Sequence, residues 1–508
     1  MTEPAAVGSQ NPVWTMGRSS VVVGVQLGAA AAGAFVLHAL AAATFGAGAA
    51  LDAYYLGAAI PMVLVSTFSA GLVFIVAPLV RIAHDRSDCD QRAMPAASLI
   101  VVGGFCLAVA IAGSVLADSI VGLLGAGLDT SVQPTAARVL AIQIWSPLLV
   151  AVAVWLSAHL VAGGRPALAS GGPVAGNAVA VLAFALTMGR GEVVWVAWSV
   201  IAGAVVQLTF VVAALRVSDV VVSRSATTRP ATRRAVTLVL PWLAAATLYK
   251  CHMLIDRVIG SWDDAGAVTS LALGLTLVTA AASVLTRGIG LTLSPRLGGD
   301  AEVARRQVWH GVCAGLILLA PAIAIVIMLR VELVSVLFSH GRFSASDVGT
   351  TAATLVPYAV VLAALGMGNI ITTTFYALGD TRTPAAVGVA GLGVHLTVSL
   401  ALWPALRYLA AGWGFAAMSV TSLGVLVVLL GRRIGPLAGR QELTRALRPV
   451  VVAVAYLPLL AGLRALLAAR FGDDNISMAL VASLATLPYL GAYVGTLMLR
   501  WPALLKAR

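Results

Sequence analysis

The stretch SVVVGVQLGAAAAGAFVLHALAAATF (Ser20–Phe45) decides the fold class. It carries no Asp, Glu, Lys or Arg, and His38 is its only ionisable side chain. A helix needs about 20 apolar residues, at about 1.5 Å each, to cross the hydrocarbon core of a bilayer. This run is long enough to do so, and too long for the apolar core of a signal peptide. The polar residues before it include only one cation, Arg18, so cleavage at this end is not expected.

The same kind of run recurs along the chain. Fourteen are legible, at roughly 20–45, 51–80, 95–117, 136–162, 167–188, 193–215, 236–261, 266–294, 308–329, 348–378, 384–404, 409–431, 449–469 and 476–498. They are numbered spans 1 to 14 below. Of 508 residues 60% are hydrophobic and only 10% charged, with mean hydropathy +0.98. Soluble domains carry about 25% charged residues, so the surface this chain presents is matched to lipid. The expected fold class is all-α: a polytopic membrane protein of about 14 transmembrane helices.

A net charge of +12 could point to nucleic acid, but the cations fall in short loops between apolar runs, and no basic domain stands apart. That is a topology signal, with some attraction to anionic headgroups. With the N-terminus placed in the cytoplasm, 22 of the 32 Lys and Arg lie in cytoplasmic segments, seven on the outer side and three within spans. Both termini are therefore expected in the cytoplasm of a bacterial inner membrane. The four cysteines, Cys89, Cys106, Cys251 and Cys313, have no metal-ligand or disulfide spacing. No metal and no cofactor is expected.

Sliding the sequence against itself by about 217 residues brings out a repeat. GLVFIVAP (Gly71–Pro78) falls on GIGLTLSP (Gly288–Pro295), AGGRP (Ala162–Pro166) on LGDTRTP (Leu378–Pro384), and Arg216 on Arg433. The offset spans an even number of helices, so the two copies run in the same direction. This predicts a cytoplasmic tail over 1–19, an N-lobe of six helices over 20–216, a basic linker over 217–235, a C-lobe of six over 236–433, and two appended helices with a tail over 434–508. Transport sites usually lie between such repeats.

Several stretches resemble one family. LFSHGRFSASD (Leu337–Asp347) is similar to the outer loop before helix 10 of the MurJ/MviN family. FYALGDTRTP (Phe375–Pro384) resembles its most recognisable motif, and FGAGAALDAYY (Phe45–Tyr55) its helix 1–2 turn. Ile255-Asp256-Arg257 and Pro295 also fit, and the resemblance runs from about residue 20 to 435. It implies the fold of the multidrug/oligosaccharidyl-lipid/polysaccharide exporter superfamily, two six-helix lobes around a central cavity. It further implies flipping of lipid II, an undecaprenyl-pyrophosphate-linked precursor, by alternating access. Members that flip lipid II place arginines in the cavity; the aligned positions here read Ala31, Leu37, Val65 or Ser66, and Thr276. The expected cargo is thus lipid II or a related polyprenyl-pyrophosphate-linked glycan. The expected surroundings are membrane lipids, cell-wall synthesis proteins as companions, and a monomer.

Ionisable residues inside spans are functional candidates by default. Span 7 carries Lys250, His252, Asp256 and Arg257. His252 and Asp256, at i and i+4, share a face and can pair. Lys250 and Arg257 are two turns apart and could grip a pyrophosphate, Arg bidentately; the alternative for Lys250 is snorkelling. Arg287, near the cytoplasmic end of span 8, is either a snorkelling side chain or a third substrate contact. Asp52 is a helix N-cap or a gate and cation-coupling group. His38 is a hydrogen-bonded packing residue or a proton carrier, as is His395. Asn177, Gln207 and Asn369 are expected to bond between helices. Gly379, Asp380, Arg382 and Pro384 are read as a structural cytoplasmic turn.

No nucleotide-binding or hydrolase motif appears, so no enzyme activity is expected. Two alternatives to a lipid-carrier flippase stand beside it. One is a proton- or sodium-coupled exporter of amphipathic small molecules; the other is a non-transporting scaffold for cell-wall synthesis.

Overall fold

The computed structural model describes residues 12–85, 89–218, 220, 227–293, 301–380, 382–437, 439–471 and 475–500. Side chains 12–21 and 287–293 are outside that description, and so are residues such as Arg86, Arg224, Pro295 and Thr381.

The chain begins with α1 (Pro12–Phe45), α2 (Ala49–Gly57), α3 (Ala59–Asp85), α4 (Cys89–Val115) and α5 (Ala117–Leu124). There follow α6 (Gln133–Gln143), α7 (Ser146–Ala162), α8 (Pro166–Thr187) and α9 (Val194–Val217). The second half opens with α10 (Arg229–Lys250), α11 (His252–Gly260), α12 (Ala267–Leu293), α13 (Ala301–Met328) and α14 (Arg330–Phe338). It continues with α15 (Ala345–Ala377), α16 (Arg382–Leu406) and α17 (Leu409–Ile434). The chain closes with α18 (Arg440–Ala446), α19 (Arg448–Ala455), α20 (Leu457–Phe471) and α21 (Asn475–Arg500). Among the described residues there is no strand, and fourteen helices are long and apolar enough to cross a membrane.

Four of the expected spans are broken, three of them at proline. Pro61, Pro147 and Pro458 have no N–H to give to the carbonyls of Gly57, Gln143 and Val454, and α2, α6 and α19 stop at or next to those residues. Span 7 breaks at Cys251 without a proline. There the Cys251 N–H bonds to Leu248 O at 2.9 Å, a tightened turn of the kind found at hinges.

Two compact units emerge. The first comprises the chain up to Leu37, Leu64–Val115 and Leu140–Leu243. In it α8 and α9 pack closely because Gly176 and Gly203 face one another; a Cβ on either would meet the other's carbonyl. Ala93 and Ala97 of α4 pack on Ala231 and Ala235 of α10, and Asn177 donates to Ala30 O at 2.7 Å. Gln207 lies against Gly172 and Gly176.

The second unit comprises His38–Val63, Leu116–Val139 and the chain from Ala244 onward. It is organised on α15, which packs on α12, α13 and α17, with Ile370, Ile371 and Phe375 buried against Leu426 and Leu430. Asn369 donates to Thr286 Oγ1 at 3.2 Å, joining α15 to α12. The appended helices dock through Leu460 of α20 and Ala485 and Tyr489 of α21 onto Ala324 and Leu329. A buried Glu332 of α14 pairs there with Arg464 of α20.

Candidate functional site: a capped helix end and a buried carboxylate

Two clusters of the flagged charges lie in the second unit. The first is built around Asp52, 1% exposed in the first turn of α2. Asp52 does not cap its own helix, whose N-cap is Gly48. Its carboxylate instead reaches the start of α12: Oδ2 accepts from Gly266 N at 2.6 Å, and Oδ1 from Thr269 N at 2.7 Å and Thr269 Oγ1 at 2.6 Å. Those N–H groups belong to the unbonded first turn of a helix, where the backbone dipole also favours an anion. Hydrogen bonds to a charged group contribute about 1.5–3 kcal/mol each. Asp52 and Thr269 are 217 residues apart, the offset of the repeat, so the latch joins the same position in the two halves.

Neighbouring contacts repeat this logic. The Arg342 N–H donates to Ala43 O at 2.7 Å. Asp347 completes a capping box with Ser344 at the start of α15 and also accepts from Ala47 N at 3.3 Å. Gly341 (φ 60) and Gly266 (φ 99) adopt left-handed backbone, and a Cβ on them would collide with the carbonyls of Ala43 and Ala47. Gly127, after α5, meets Ser261, after α11, in the same way. The α5–Gly127 and α14–Gly341 segments thus make matching contacts from opposite copies of the repeat.

His38 joins this cluster from α1. Its Nδ1 is 3.0 Å from the Tyr55 hydroxyl, and the Arg257 guanidinium lies 5.5 Å from the centre of the Tyr55 ring. Arg257 is 3% exposed. Tyr55 was not singled out from the sequence; a tyrosine three residues after Asp52 on the same short helix was the available signal.

The second cluster is one residue away. Asp256 (0% exposed) does not pair with His252, as the i, i+4 spacing predicted; it faces His395 of α16, also fully buried, with Nε2 3.3 Å from Oδ1. His252 is instead stacked on Phe415, centroids 4.1 Å apart and planes at 9°. Tyr358 of α15 also faces Asp256. Gly414 makes this possible: a Cβ there would collide with Ser399 Oγ and press on His395, so α17 can approach α16 only with glycine. Neither Asp256 oxygen has a hydrogen-bond partner of good geometry among the described residues.

Lys250 ends α10 on the other side of the Cys251 break, its Nζ 5.8 Å from the Tyr249 ring centre. Cys251 thus separates Lys250 from Arg257, which lie on consecutive helices. The Arg287 side chain lies outside the described residues. At the aligned arginine positions, Leu37 is buried and the Thr276 hydroxyl bonds back to Ala272 O at 2.8 Å.

The turn after α15 is a separate, exposed feature. Gly379 has φ 76, and Asp380 accepts from Thr383 N, Thr383 Oγ1 and Arg382 N at 2.9, 2.6 and 3.0 Å. Arg433 pairs with Asp380 at 2.5 Å. The Thr383 hydroxyl and backbone bonds, then Arg433, hold the Asp380 carboxyl below its ordinary range. Pro384 lies in the first turn of α16, as the turn reading requires.

The sequence pattern of the family described as lipid II flippase MurJ matches residues 41–482. The chain belongs to the MurJ family. The lipid II flippase MurJ of Burkholderia cenocepacia is 25% identical over 413 residues, 78% of this chain and 79% of that one. The probable lipid II flippase MurJ of Rhizobium meliloti is 28% identical over 261 residues, 50% of this chain and 48% of that one. The chain spans about half the length of the Rhizobium meliloti relative and 58% of that of Bdellovibrio bacteriovorus. A solved structure of lipid II flippase MurJ in an inward closed conformation superposes with TM-score 0.79, at 14% identity, over 94% of this chain and all of that one. An inward-facing multidrug MATE transporter of the MOP superfamily superposes with TM-score 0.64 at 16% identity, over 79% of this chain and 95% of that one. The fold expected of MurJ, with its two parallel six-helix lobes and two appended helices, is therefore the fold of this protein.

Proposed function

We propose that this protein is a non-catalytic flippase that moves a polyprenyl-pyrophosphate-linked cell-wall precursor, lipid II or a related glycan lipid, from the inner to the outer leaflet by alternating access. Family membership supports the substrate class. The observation that carries the mechanism is the Asp52 cap on α12. Alternating access needs a closure that forms and breaks as a unit. A carboxylate that completes the first turn of a helix 217 residues away is such a closure, because its three bonds are made or lost together.

The membrane is the bacterial inner membrane, and the arginine distribution supports a cytoplasmic position for both termini. The Asp52 end is then the outer gate, closed here. The functional halves are the lobes 20–216 and 236–433, joined by the linker 217–235 and followed by 434–508. Residues 38–63 and 116–139 of the first lobe fold with the second in one compact unit, as a closed outer gate requires. Lys250, Arg257 and Arg287 are the substrate-binding cations; Asp52, Asp256, His38 and His252 are the gating and ion-coupling group. Arg257 lies beneath Tyr55 while the gate is closed and becomes available to a pyrophosphate when it opens. The protein acts as a monomer among membrane lipids and cell-wall synthesis proteins.

The test is reconstitution in liposomes with a fluorescent lipid II analogue, comparing wild type with Lys250→Ala and Asp52→Ala. Translocation by wild type and its loss in both variants is expected. Absence of translocation of any polyprenyl-linked cargo by wild type would remove the flippase reading in favour of an exporter or a scaffold.

A further inference from the structure

Asp256 and His395 are both fully buried, yet neither carboxylate oxygen nor either ring nitrogen of His395 makes a hydrogen bond of good geometry among the described residues. Their closest approach, 3.3 Å between Nε2 and Oδ1, is a contact waiting for a proton to align it. A buried carboxylate whose neighbouring donors, here the Tyr358 hydroxyl and His395, are poorly aligned is costly while charged. A buried ion pair offsets its desolvation only when well hydrogen-bonded. One proton relieves both conditions: it can sit on the carboxyl beside a neutral imidazole, or on Nε2 as imidazolium beside carboxylate. Either way the dry site gains one positive charge, and no bond between heavy atoms changes.

The surroundings favour a proton over a metal ion. Among the described residues no three His, Cys, Asp or Glu gather to hold a metal. The cluster offers a single carboxylate where hard cations want a cage of oxygens. The charged and titratable groups around Asp256 are few. On its own helix they are His252 and Arg257; on α16, His395; on α15, Tyr358. Tyr55 and Asp52 of α2 are reached through Arg257, and Lys250 precedes the break at Cys251. Asp118, the one ionisable residue of α5, is exposed, and the outer halves of α12 and α17 have none.

We propose that the Asp256–His395 pair is a proton-binding site whose loading and unloading drives the outer gate. The link is short. Asp256 adjoins Arg257, which lies under the Tyr55 ring of the helix that carries Asp52. His252, Asp256 and Arg257 share one short helix, α11, that begins at the Cys251 turn. A change of one charge on Asp256 alters what holds Arg257 beneath Tyr55, and so the seating of α2 on α12. This inference rests on the transporter reading above for its purpose, though not for its chemistry.

The chemistry is tested without transport. Infrared difference spectra of the purified full-length protein, taken across a pH titration, are expected to show a buried carboxyl band that titrates. Asp256→Asn should remove the band, His395→Gln should move its midpoint by about one pH unit or more, tenfold in proton affinity, and Ser399→Ala should leave it nearly in place. A band absent throughout, or one indifferent to His395→Gln, overturns the site. A band that responds to sodium at constant pH and not to protons overturns it in favour of a metal ion. Coupling is tested in proteoliposomes with the same fluorescent cargo. Wild type is expected to translocate faster under an imposed pH gradient, and His395→Gln to lose that dependence while folding normally by thermal melt. Translocation indifferent to the gradient overturns the driving role alone. A titrating band with no translocation at all leaves the proton site standing and counts against the flippase reading.

Discussion

Two buried carboxylates lie on two nine-residue helices, Asp52 as the fourth residue of α2 and Asp256 as the fifth of α11, and they are treated oppositely. Asp52 has three donors within 2.7 Å. Asp256 has a histidine at 3.3 Å and no well-formed hydrogen bond. The first arrangement fixes a charge and with it a conformation; the second leaves a charge that a single proton can cancel. The same residue type is therefore held by three donors at one place and left with no well-aligned donor at the other, and the difference lies in what the neighbouring backbone supplies. The first turn of α12 offers free N–H groups to Asp52, whereas Asp256 sits mid-helix, where every backbone donor is already used.

The comparison breaks most severely at Asp52. Asp52→Ala is expected to remove three bonds at once and weaken the closure by about 3 kcal/mol or more. Translocation should fall at least about tenfold, since about 1.4 kcal/mol is a decade. A cysteine placed at Ala47 should become reactive to a membrane-impermeant maleimide. If labelling and translocation match wild type, Asp52 is no latch. Gly341→Ala attacks the same closure through the backbone: φ 60 and a collision with Ala43 O should cost about 1–3 kcal/mol, read as labelling of a cysteine at Ala43. A normal closed gate in that variant would mean the loop can back away freely.

The other side of the comparison is sharpened by His252→Phe. This substitution keeps the stack on Phe415, so stability should stay within about 1 kcal/mol of wild type, while the pH dependence of transport should weaken less than in His395→Gln. A large loss would transfer the titrating role from His395 to His252. The smallest effect is expected at Asp380. Its folded carboxyl is held below the ordinary range, so the turn is fully supported at neutral pH. That support is lost only as pH falls below about 4, the range of an unperturbed Asp. A slight acid-side drop in melting temperature, absent from Asp380→Asn, is the check.

Much of the site was legible because charge inside an apolar span is rare. Asp52, His38, His252, Asp256 and Arg257 stand out without any structure. What could not be read was who meets whom. The His252–Asp256 spacing satisfied the helical rule, yet a stack on Phe415 and the approach of α16 through Gly414 rearranged the partners. Thr269 and Tyr358 are unremarkable in sequence, although the 217-residue offset, applied to Asp52, would have pointed to Thr269.

The sequence by itself determined the solvent, the number of crossings, the parallel repeat and the clustering of arginine in alternate loops. Each of these is a property of composition and period along one chain, set by the cost of charge and unpaired backbone in lipid. Only the tertiary structure decided that Asp52 caps a helix from the other half of the repeat, and that Asp256 faces His395. Those facts depend on how closely helices distant in sequence approach, which rests on glycines at their crossings and on which backbone donors are left free.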